Sequence, residues 1–133
     1  MIVLDASAAV QACLAADGFD LFGRERLIAP ALFCSEVSSA LHEMRWRKEI
    51  SAGLADIAFK RLLAAPVSPR SSKRLRREAW RVAEELGWMK TYDAEYIALA
   101  RAARCRLFTL DARLRRGAGH IVPIIGPRDL HRL

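Results

Sequence analysis

The sequence pattern predicts that four acidic residues lie close together in the folded protein. They are Asp5, Glu36, Asp93 and Asp111. Asp5 and Asp111 each follow a short apolar run typical of a buried strand, and ligand sites of open parallel sheets lie beyond the carboxyl ends of the strands. Glu36 and Asp93 lie at helical spacing on or beside the apolar faces of two predicted helices. Four carboxylates at one sheet edge repel one another, which raises their pKa values unless they share a cation.

A hard divalent cation suits this arrangement. Mg²⁺ prefers carboxylate oxygens, retains several waters and bridges to substrate phosphate. A metal held in this way activates water and stabilises the charge that develops on a phosphodiester. Zinc is disfavoured, because His42, His120 and His131 form no ligand spacing such as H-E-x-x-H. The four acids therefore predict a Mg²⁺ site for phosphodiester chemistry.

Each acid also has an ordinary structural interpretation when it is taken alone. Asp5 suits a strand-end turn or a helix cap, and Asp93 suits the positive end of a helix dipole. Glu36 suits a solvated helix face, and Asp111 suits a turn. A shared site is predicted only from the joint placement of all four.

The elements around these acids alternate between strands and helices. Residues 2–4 and 107–110 predict buried strands, and residues 121–125 predict a last strand that Pro123 pushes toward a sheet edge. Short apolar strands separated by helices predict a parallel sheet that is covered by helices. The expected fold class is α/β, a three-layer sandwich with a short parallel sheet flanked by helices.

Two helices are predicted in the first third of the chain. Ser7 is the expected N-cap of a helix over 8–16. Pro30 fits the first turn of a longer helix, because proline is tolerated there. The apolar stripe of that helix runs from Phe33 to Met44 at helical spacing.

Three further helices are predicted in the rest of the chain. Ser51 is expected to cap a helix that turns Ile57 inward, and Gly87 is expected to end the next helix. Thr91 is expected to cap the helix that carries Asp93. The Pro- and Ser-rich segment 65–72 is predicted to be a loop.

The composition bounds the class of protein. With 133 residues, of which 53% are hydrophobic and 28% charged, the chain predicts one folded domain over 1–133. No apolar run is long enough for a membrane helix, and the N-terminus lacks a basic leader. Three widely spaced cysteines favour free thiols over a disulfide framework. We expect a cytoplasmic protein that does not bind a membrane.

A surplus of basic residues favours a polyanionic partner. Lys and Arg number 22 against 15 Asp and Glu, which gives a net charge of +7 and a pI near 10.0. One basic cluster flanks a helix at 70–81, and a second surrounds Asp111. Either cluster suits a solvated face, and the tryptophans suit packing as well as base stacking. Contacts to RNA phosphates are predicted in the second cluster, at Arg113, Arg115 and Arg116.

These residues fall in four blocks that together span nearly the whole chain. The blocks are Ile2-Val3-Leu4-Asp5-Ala6-Ser7, the run from Pro30 through Glu36 to Leu41, Tyr92-Asp93-Ala94-Glu95-Tyr96-Ile97-Ala98-Leu99-Ala100, and Thr109-Leu110-Asp111. In their order and content they resemble the PIN-domain family, and specifically its VapC-type toxin ribonucleases.

The resemblance implies a site and a chemistry. It implies that Mg²⁺, or Mn²⁺ as a substitute, is held by the four acids, with Ser7 and Thr109 as supporting hydroxyls. It implies hydrolysis of RNA by a metal-activated water that leaves 5′-phosphate and 3′-hydroxyl ends. It further implies a homodimer and a cognate VapB-type antitoxin protein that blocks the acidic pocket.

The chain departs from the family pattern in two places. Ser39 stands where members often carry Asn, and Arg113 and Arg115 follow the fourth block where some members place a further acid. The predicted function is a Mg²⁺-dependent endoribonuclease, the toxin of a type II toxin–antitoxin pair. The alternative is a catalytically silent PIN-fold module that binds RNA or a partner. Dehalogenase-like phosphatases are excluded, because they need D-x-D after the first strand and residue 7 is Ser.

Overall fold

A five-stranded parallel sheet organises the protein. The structure is a computed structural model that describes the backbone of residues 1–132 and the side chains of residues 1–130. The strands lie in the order β3-β2-β1-β4-β5. They are β1 (Ile2–Leu4), β2 (Leu27–Pro30), β3 (Val67–Arg70), β4 (Arg106–Phe108) and β5 (Ile124–Ile125).

Helices connect the strands and cover the sheet. They are α1 (Ala6–Leu14), α2 (Phe33–Trp46), α3 (Ala52–Leu63), α4 (Lys73–Leu86), α5 (Tyr92–Ala103) and α6 (Ala112–Ala118). The connections from β1 through β2 to β3 advance in one direction along the sheet, and the connection from β3 to β4 returns. Because such crossovers are right-handed, α1–α3 lie on one face and α4 and α5 on the other. The predicted α/β sandwich is confirmed.

The central strands form the core of the sandwich. All three residues of β1 are fully buried, and Leu107 of β4, beside Val3, is fully buried as well. Uninterrupted burial is expected where helices cover both faces of a parallel sheet. Helix α5 packs directly on β1, β2 and β4, and α4 packs on α5. The carboxyl ends of the central strands are therefore held by a rigid support.

The direction of the chain reverses between β1 and β4. Strands β2 and β3 lie on one side of β1, while β4 and β5 lie on the other. In open α/β sheets this switch point leaves a crevice at the carboxyl ends of the two adjacent strands. Asp5 follows β1 directly, and Asp111 follows β4 after two residues. The topology thus brings the first and fourth sequence blocks to the same crevice.

Several local predictions were wrong. Pro30 ends β2, which pairs with β1 and β3, and α2 begins only at Phe33. Residues 67–70, predicted to be a loop, form the edge strand β3, where Pro69 is tolerated. Helix α1 begins at Ala6 and is capped by Asp5, not by Ser7.

Other local predictions fared better. Ser51 caps α3 by accepting a hydrogen bond from the Leu54 N–H at 3.1 Å, although Ile57 on that helix is 48% exposed. Gly87 follows α4 in the left-handed conformation, at φ 69°. Strand β5 lies at a sheet edge, as Pro123 suggested, but covers only two residues. Among the described residues, no helix is both long and apolar enough to cross a membrane.

Candidate active site

Asp5 is the most deeply held of the four acids, at 6% exposure. Its Oδ1 accepts hydrogen bonds from the Ser7 hydroxyl at 2.7 Å and from the Ala8 N–H at 3.1 Å. Its Oδ2 accepts a hydrogen bond from the Thr109 hydroxyl. Burial raises the pKa of Asp5 and the nearby charge of Asp111 adds to the rise, while the three hydrogen bonds oppose it. Asp5 is thus fixed in place by hydrogen bonds, and no ion pair among the described residues involves it.

The two hydroxyls that hold Asp5 also join β1 to the segment after β4. Ser7 Oγ accepts a hydrogen bond from the Leu110 N–H at 3.1 Å. Thr109 Oγ1 accepts one from the Asp111 N–H at 3.0 Å. Both side chains therefore orient the first and fourth blocks relative to each other, which is consistent with the supporting function predicted for them.

Glu36 projects from the first turn of α2 toward α5. Its Oε1 accepts a hydrogen bond of 2.6 Å from the hydroxyl of Tyr96, a side chain that is 1% exposed. Burial raises the pKa of Glu36, the charges of Asp93 and Asp5 add to the rise, and the Tyr96 hydrogen bond opposes it. Sequence reasoning did not single out Tyr96. The signal was available, because a tyrosine on a buried helix face needs a partner for its hydroxyl.

Asp93 and Asp111 lie close enough together for their charges to interact. Asp111 caps α6 by accepting from the Arg113 N–H at 2.9 Å, and Arg113 Nε lies 3.6 Å from its Oδ1. Partial burial raises the pKa of Asp93, and the charge of Asp111 adds to the rise. The guanidinium of Arg113 opposes that rise. Arg113 is the cation closest to these two acids among the described ion pairs.

A cavity of about 460 Å³ lies between these residues. Glu36, Asp93, Asp111 and Arg113 line it, and the α4–α5 loop closes one side with Trp88 and its neighbours. Asp5 is not in the lining, but its charge raises the pKa of Glu36 and its own pKa responds to Asp111. The structure therefore places three of the predicted acids around one cavity and the fourth, Asp5, next to it. A larger groove of about 640 Å³ lies elsewhere, between α2 and α3.

The donor set fits a hard cation, although the acids do not form a closed cage. Within the described part of the chain, no group of three or more His, Cys, Asp or Glu side chains is arranged to hold a metal ion. Mg²⁺ does not need such a cage, since it takes one or two carboxylates and completes its shell with waters and substrate phosphate. Burial is the main cause of the raised pKa values of Asp5, Glu36 and Asp93, and neighbouring carboxylates add to the rise.

The three arginines predicted to contact RNA are placed differently from one another. Arg113 lines the cavity. Arg115 donates a hydrogen bond of 3.2 Å to Asp129, so it is engaged with the segment after β5. Arg116 is exposed on α6 and does not line the cavity. All three arginines are close to Asp111 in sequence, but of the three only Arg113 lies beside the acids.

A sequence profile of the PIN domain matches residues 2–119. The chain belongs to the PIN-domain family. The match covers every element from β1 through α6 and all four predicted acids.

Curated relatives of this PIN domain carry VapC names. The chain is 37% identical over 116 residues to VapC ribonuclease Mb0985 of Mycobacterium bovis, which covers 86% of this chain and 88% of the relative. It is equally similar to Ribonuclease VapC9 of Mycobacterium tuberculosis. Ribonuclease VapC3 of the same species is 34% identical over 93 residues, or 70% of this chain and 66% of the relative. The resemblance to VapC-type members is confirmed.

A solved structure supports the same fold. The crystal structure of PAE2754 from Pyrobaculum aerophilum superposes with a TM-score of 0.76 and covers 98% of this PIN domain and 94% of that chain, at 26% identity. The departure at Ser39 falls outside the acidic cavity, because Ser39 lines the groove between α2 and α3. The departure at Arg113 falls inside it, where a cation stands near Asp93 and Asp111.

Proposed function

We propose that this PIN domain is a Mg²⁺-dependent endoribonuclease and the toxin of a type II toxin–antitoxin pair. The observation that carries the proposal is the cavity at the switch point of the sheet, which is lined by Glu36, Asp93 and Asp111 and adjoins Asp5. Relatives named as VapC ribonucleases support it, since they match most of this chain.

The residues that would hold Mg²⁺, or Mn²⁺ in its place, are Asp5, Glu36, Asp93 and Asp111. When bound, the metal would activate water and stabilise the charge that develops on the scissile phosphate. Ser7 and Thr109 keep the Asp5 carboxylate oriented through their hydrogen bonds. Because Asp5 is buried and accepts three hydrogen bonds, its carboxylate is held in one orientation at the end of β1.

Binding of the RNA backbone is assigned to the basic residues around Asp111. Arg113 stands at the cavity and is suited to a phosphate next to the acids. Arg115 and Arg116 would contact the strand farther along α6, with Arg115 exchanging its ion pair with Asp129 for a phosphate. Hydrolysis at this site would leave 5′-phosphate and 3′-hydroxyl ends.

The proposal includes the partners of a VapC toxin. We expect a homodimer in the cytoplasm and a VapB-type antitoxin protein that covers the acidic cavity. The alternative is a PIN-fold module that binds RNA or a partner without cleaving it. The observation that favours this alternative is that the described residues include no group of three or more ligands arranged to hold a metal ion.

The test is an RNA cleavage assay with the purified chain in Mg²⁺, Mn²⁺ and EDTA. We expect single-stranded RNA to be cut in either metal, to be left intact in EDTA, and to carry 5′-phosphates on its products. Binding of RNA without cleavage in both metals would favour the silent module. Cleavage that continues in EDTA would contradict the metal dependence.

A further inference from the structure

The start of α4 carries a basic segment that the proposed chemistry does not use. It consists of exposed cationic side chains, namely Arg70, Lys73, Arg74, Arg76 and Arg77. No acid occurs in the sequence from residue 66 to residue 77. In the described part of the chain, no hydrogen bond or ion pair engages the side chain of Lys73, Arg74 or Arg77. A dense, unneutralised cluster of this kind attracts a polyanion.

An exposed aromatic ring stands within this basic segment. Trp80 is 65% exposed, whereas Ala79, Val82 and Ala83 of the same helix are buried against the core. Trp80 follows Arg76 by four residues and Arg77 by three, so it shares a helix face with both. Lys73 lies two turns earlier on that face. The indole is therefore flanked by cations and faces solvent.

The basic segment adjoins the carboxylate site. Arg70 and Arg76 line a small cleft together with Glu95, which follows Asp93 by two residues on α5. Burial raises the pKa of Glu95 and the nearby charge of Arg76 opposes that rise, while the charge of Glu95 adds to the raised pKa of Glu36. Strand β3 ends at Arg70, on the same edge of the parallel sheet as Asp5 at the end of β1. A strand leaving the cavity past Glu95 would meet this surface.

We propose that Trp80, Lys73, Arg76 and Arg77 form a subsite for single-stranded RNA outside the carboxylate cavity. A base stacks on the indole of Trp80 and the flanking phosphates contact the three cations. Cationic side chains interleaved with an aromatic platform are the usual means of binding single strands without sequence preference. Bases in an RNA duplex are already stacked in pairs, so the subsite selects unpaired RNA. The inference rests on the proposed function, to which it adds a binding surface for the RNA strand outside the cavity.

The test compares two exposed tryptophans. Binding of a labelled, unstructured RNA and of its duplex is measured in EDTA, so that metal-dependent cleavage does not occur. We expect Trp80→Ala to weaken single-strand binding about 10-fold, within the range measured for loss of one stacked base. Trp46→Ala is the matched control, since Trp46 is 81% exposed at the far end of α2. It should leave binding unchanged, and neither variant should affect duplex binding.

The cations are tested by the salt dependence of binding. Lys73→Gln combined with Arg77→Gln should reduce the slope of log affinity against log salt by about 1.4, or about 0.7 for each phosphate contact. Arg24→Gln combined with Arg26→Gln removes the same charge just before β2, at the opposite edge of the sheet, and should leave the slope nearly unchanged. Melting curves establish that each variant is folded.

Three results would overturn the subsite. The first is equal binding by the Trp80→Ala and Trp46→Ala variants. The second is equal slopes for the two double variants. The third is dissociation of an oligomer by Trp80→Ala in sedimentation experiments, which would assign Trp80 to a protein interface. Cleavage by the unaltered chain in Mg²⁺ is measured separately. If binding depends on Trp80 but no cleavage occurs, the proposed function fails and the subsite stands.

Discussion

The acids at the two edges of the sheet have pKa values that are shifted in opposite directions. At the amino edge, Glu25 accepts a hydrogen bond from the N-terminal amine of Met1 at 2.5 Å and lies 3.3 Å from Arg106. The hydrogen bond from that amine lowers the pKa of Glu25. At the carboxyl edge, burial raises the pKa of Asp5, Glu36 and Asp93, and neighbouring carboxylates raise them further.

This difference separates charges that serve the fold from charges held for a ligand. An acid that is paired with cations contributes modestly to stability and does not require a bound ligand to balance its charge. Acids that are partly buried beside one another oppose folding unless something relieves their repulsion, and such groups cluster at functional sites. The carboxyl edge is therefore where a cation and a phosphate are expected. Each prediction below changes one edge and uses the other as a reference.

The largest effect is expected from removing one acid of the cavity. Asp5→Asn and Asp93→Asn each keep the size of the side chain and remove its charge, so the metal is no longer held. A metal is worth several kcal/mol of transition-state stabilisation, and we expect the rate of RNA cleavage to fall about 100-fold or more. Initial rates in Mg²⁺ measure this. Glu25→Gln, at the paired edge, should cleave at the unaltered rate, and a loss there as large as in Asp93→Asn would contradict the contrast.

A smaller loss is expected when the support of Glu36 is removed. Tyr96→Phe deletes only the hydroxyl that donates to Glu36 Oε1. Residues that orient metal ligands typically change metal affinity or activity about 10–100-fold when they are altered. The Mg²⁺ concentration for half-maximal cleavage should therefore rise, while the fold is retained. Glu25→Gln is the control, because Glu25 lies at the amino edge of the sheet and does not line the cavity. Identical Mg²⁺ dependence in both variants would show that Tyr96 only fills space.

Metal should also stabilise the fold. Binding of Mg²⁺ or Mn²⁺ relieves the repulsion at the carboxyl edge, and by mass action saturating metal should add ~1–3 kcal/mol to the free energy of unfolding. Thermal or urea unfolding with and without metal measures the gain. The gain should shrink in Asp5→Asn and persist in Glu25→Gln. A melting temperature that responds to neither ion would count heavily against the site.

The two edges should respond to pH with opposite signs in metal-free protein. The pKa of Asp93 is raised by folding, so the folded state binds its proton more tightly than the unfolded state does. Its effect on stability becomes unfavourable as the pH rises above the ordinary carboxyl range. The pKa of Glu25 is lowered, so its stabilisation is present above the ordinary range and is lost as the pH falls.

This difference in sign can be measured by unfolding in EDTA between pH 3 and pH 7. The stability of the unaltered chain relative to Asp93→Asn should decrease as the pH rises. Its stability relative to Glu25→Gln should increase as the pH rises. The same sign for both differences would show that the two edges do not differ in the way described.

Sequence reasoning predicted where the acids of the site lie better than it predicted the contacts among them. Asp5 and Asp111 could be placed because each follows an apolar run, and the end of a buried strand is a fixed location in a parallel sheet. What could not be predicted was the network among them. The Tyr96–Glu36 hydrogen bond joins two helices that are 60 residues apart in sequence, and no local pattern specifies such a pair.

The wrong predictions for strands β2 and β3 have a common physical cause. Strands β2 and β3 each have four residues, too few for periodicity to distinguish a strand from a turn or a helix start. Each also contains a proline, Pro30 in β2 and Pro69 in β3, that locally favours another structure. Pairing with neighbouring strands overrides that preference, and pairing is a tertiary property. Longer elements with a clear stripe, such as α4 and α5, were predicted correctly.

Direct binding of Mn²⁺ tests the central claim, that the acids at the carboxyl edge hold a divalent cation. Mn²⁺ is titrated into metal-free protein, and the free ion is followed by its electron paramagnetic resonance signal, without RNA. We predict saturable binding to the unaltered chain and to Glu25→Gln, and much weaker binding to Asp5→Asn and Asp93→Asn. Absence of saturable binding to the unaltered chain, or equal binding by all four proteins, would contradict the claim.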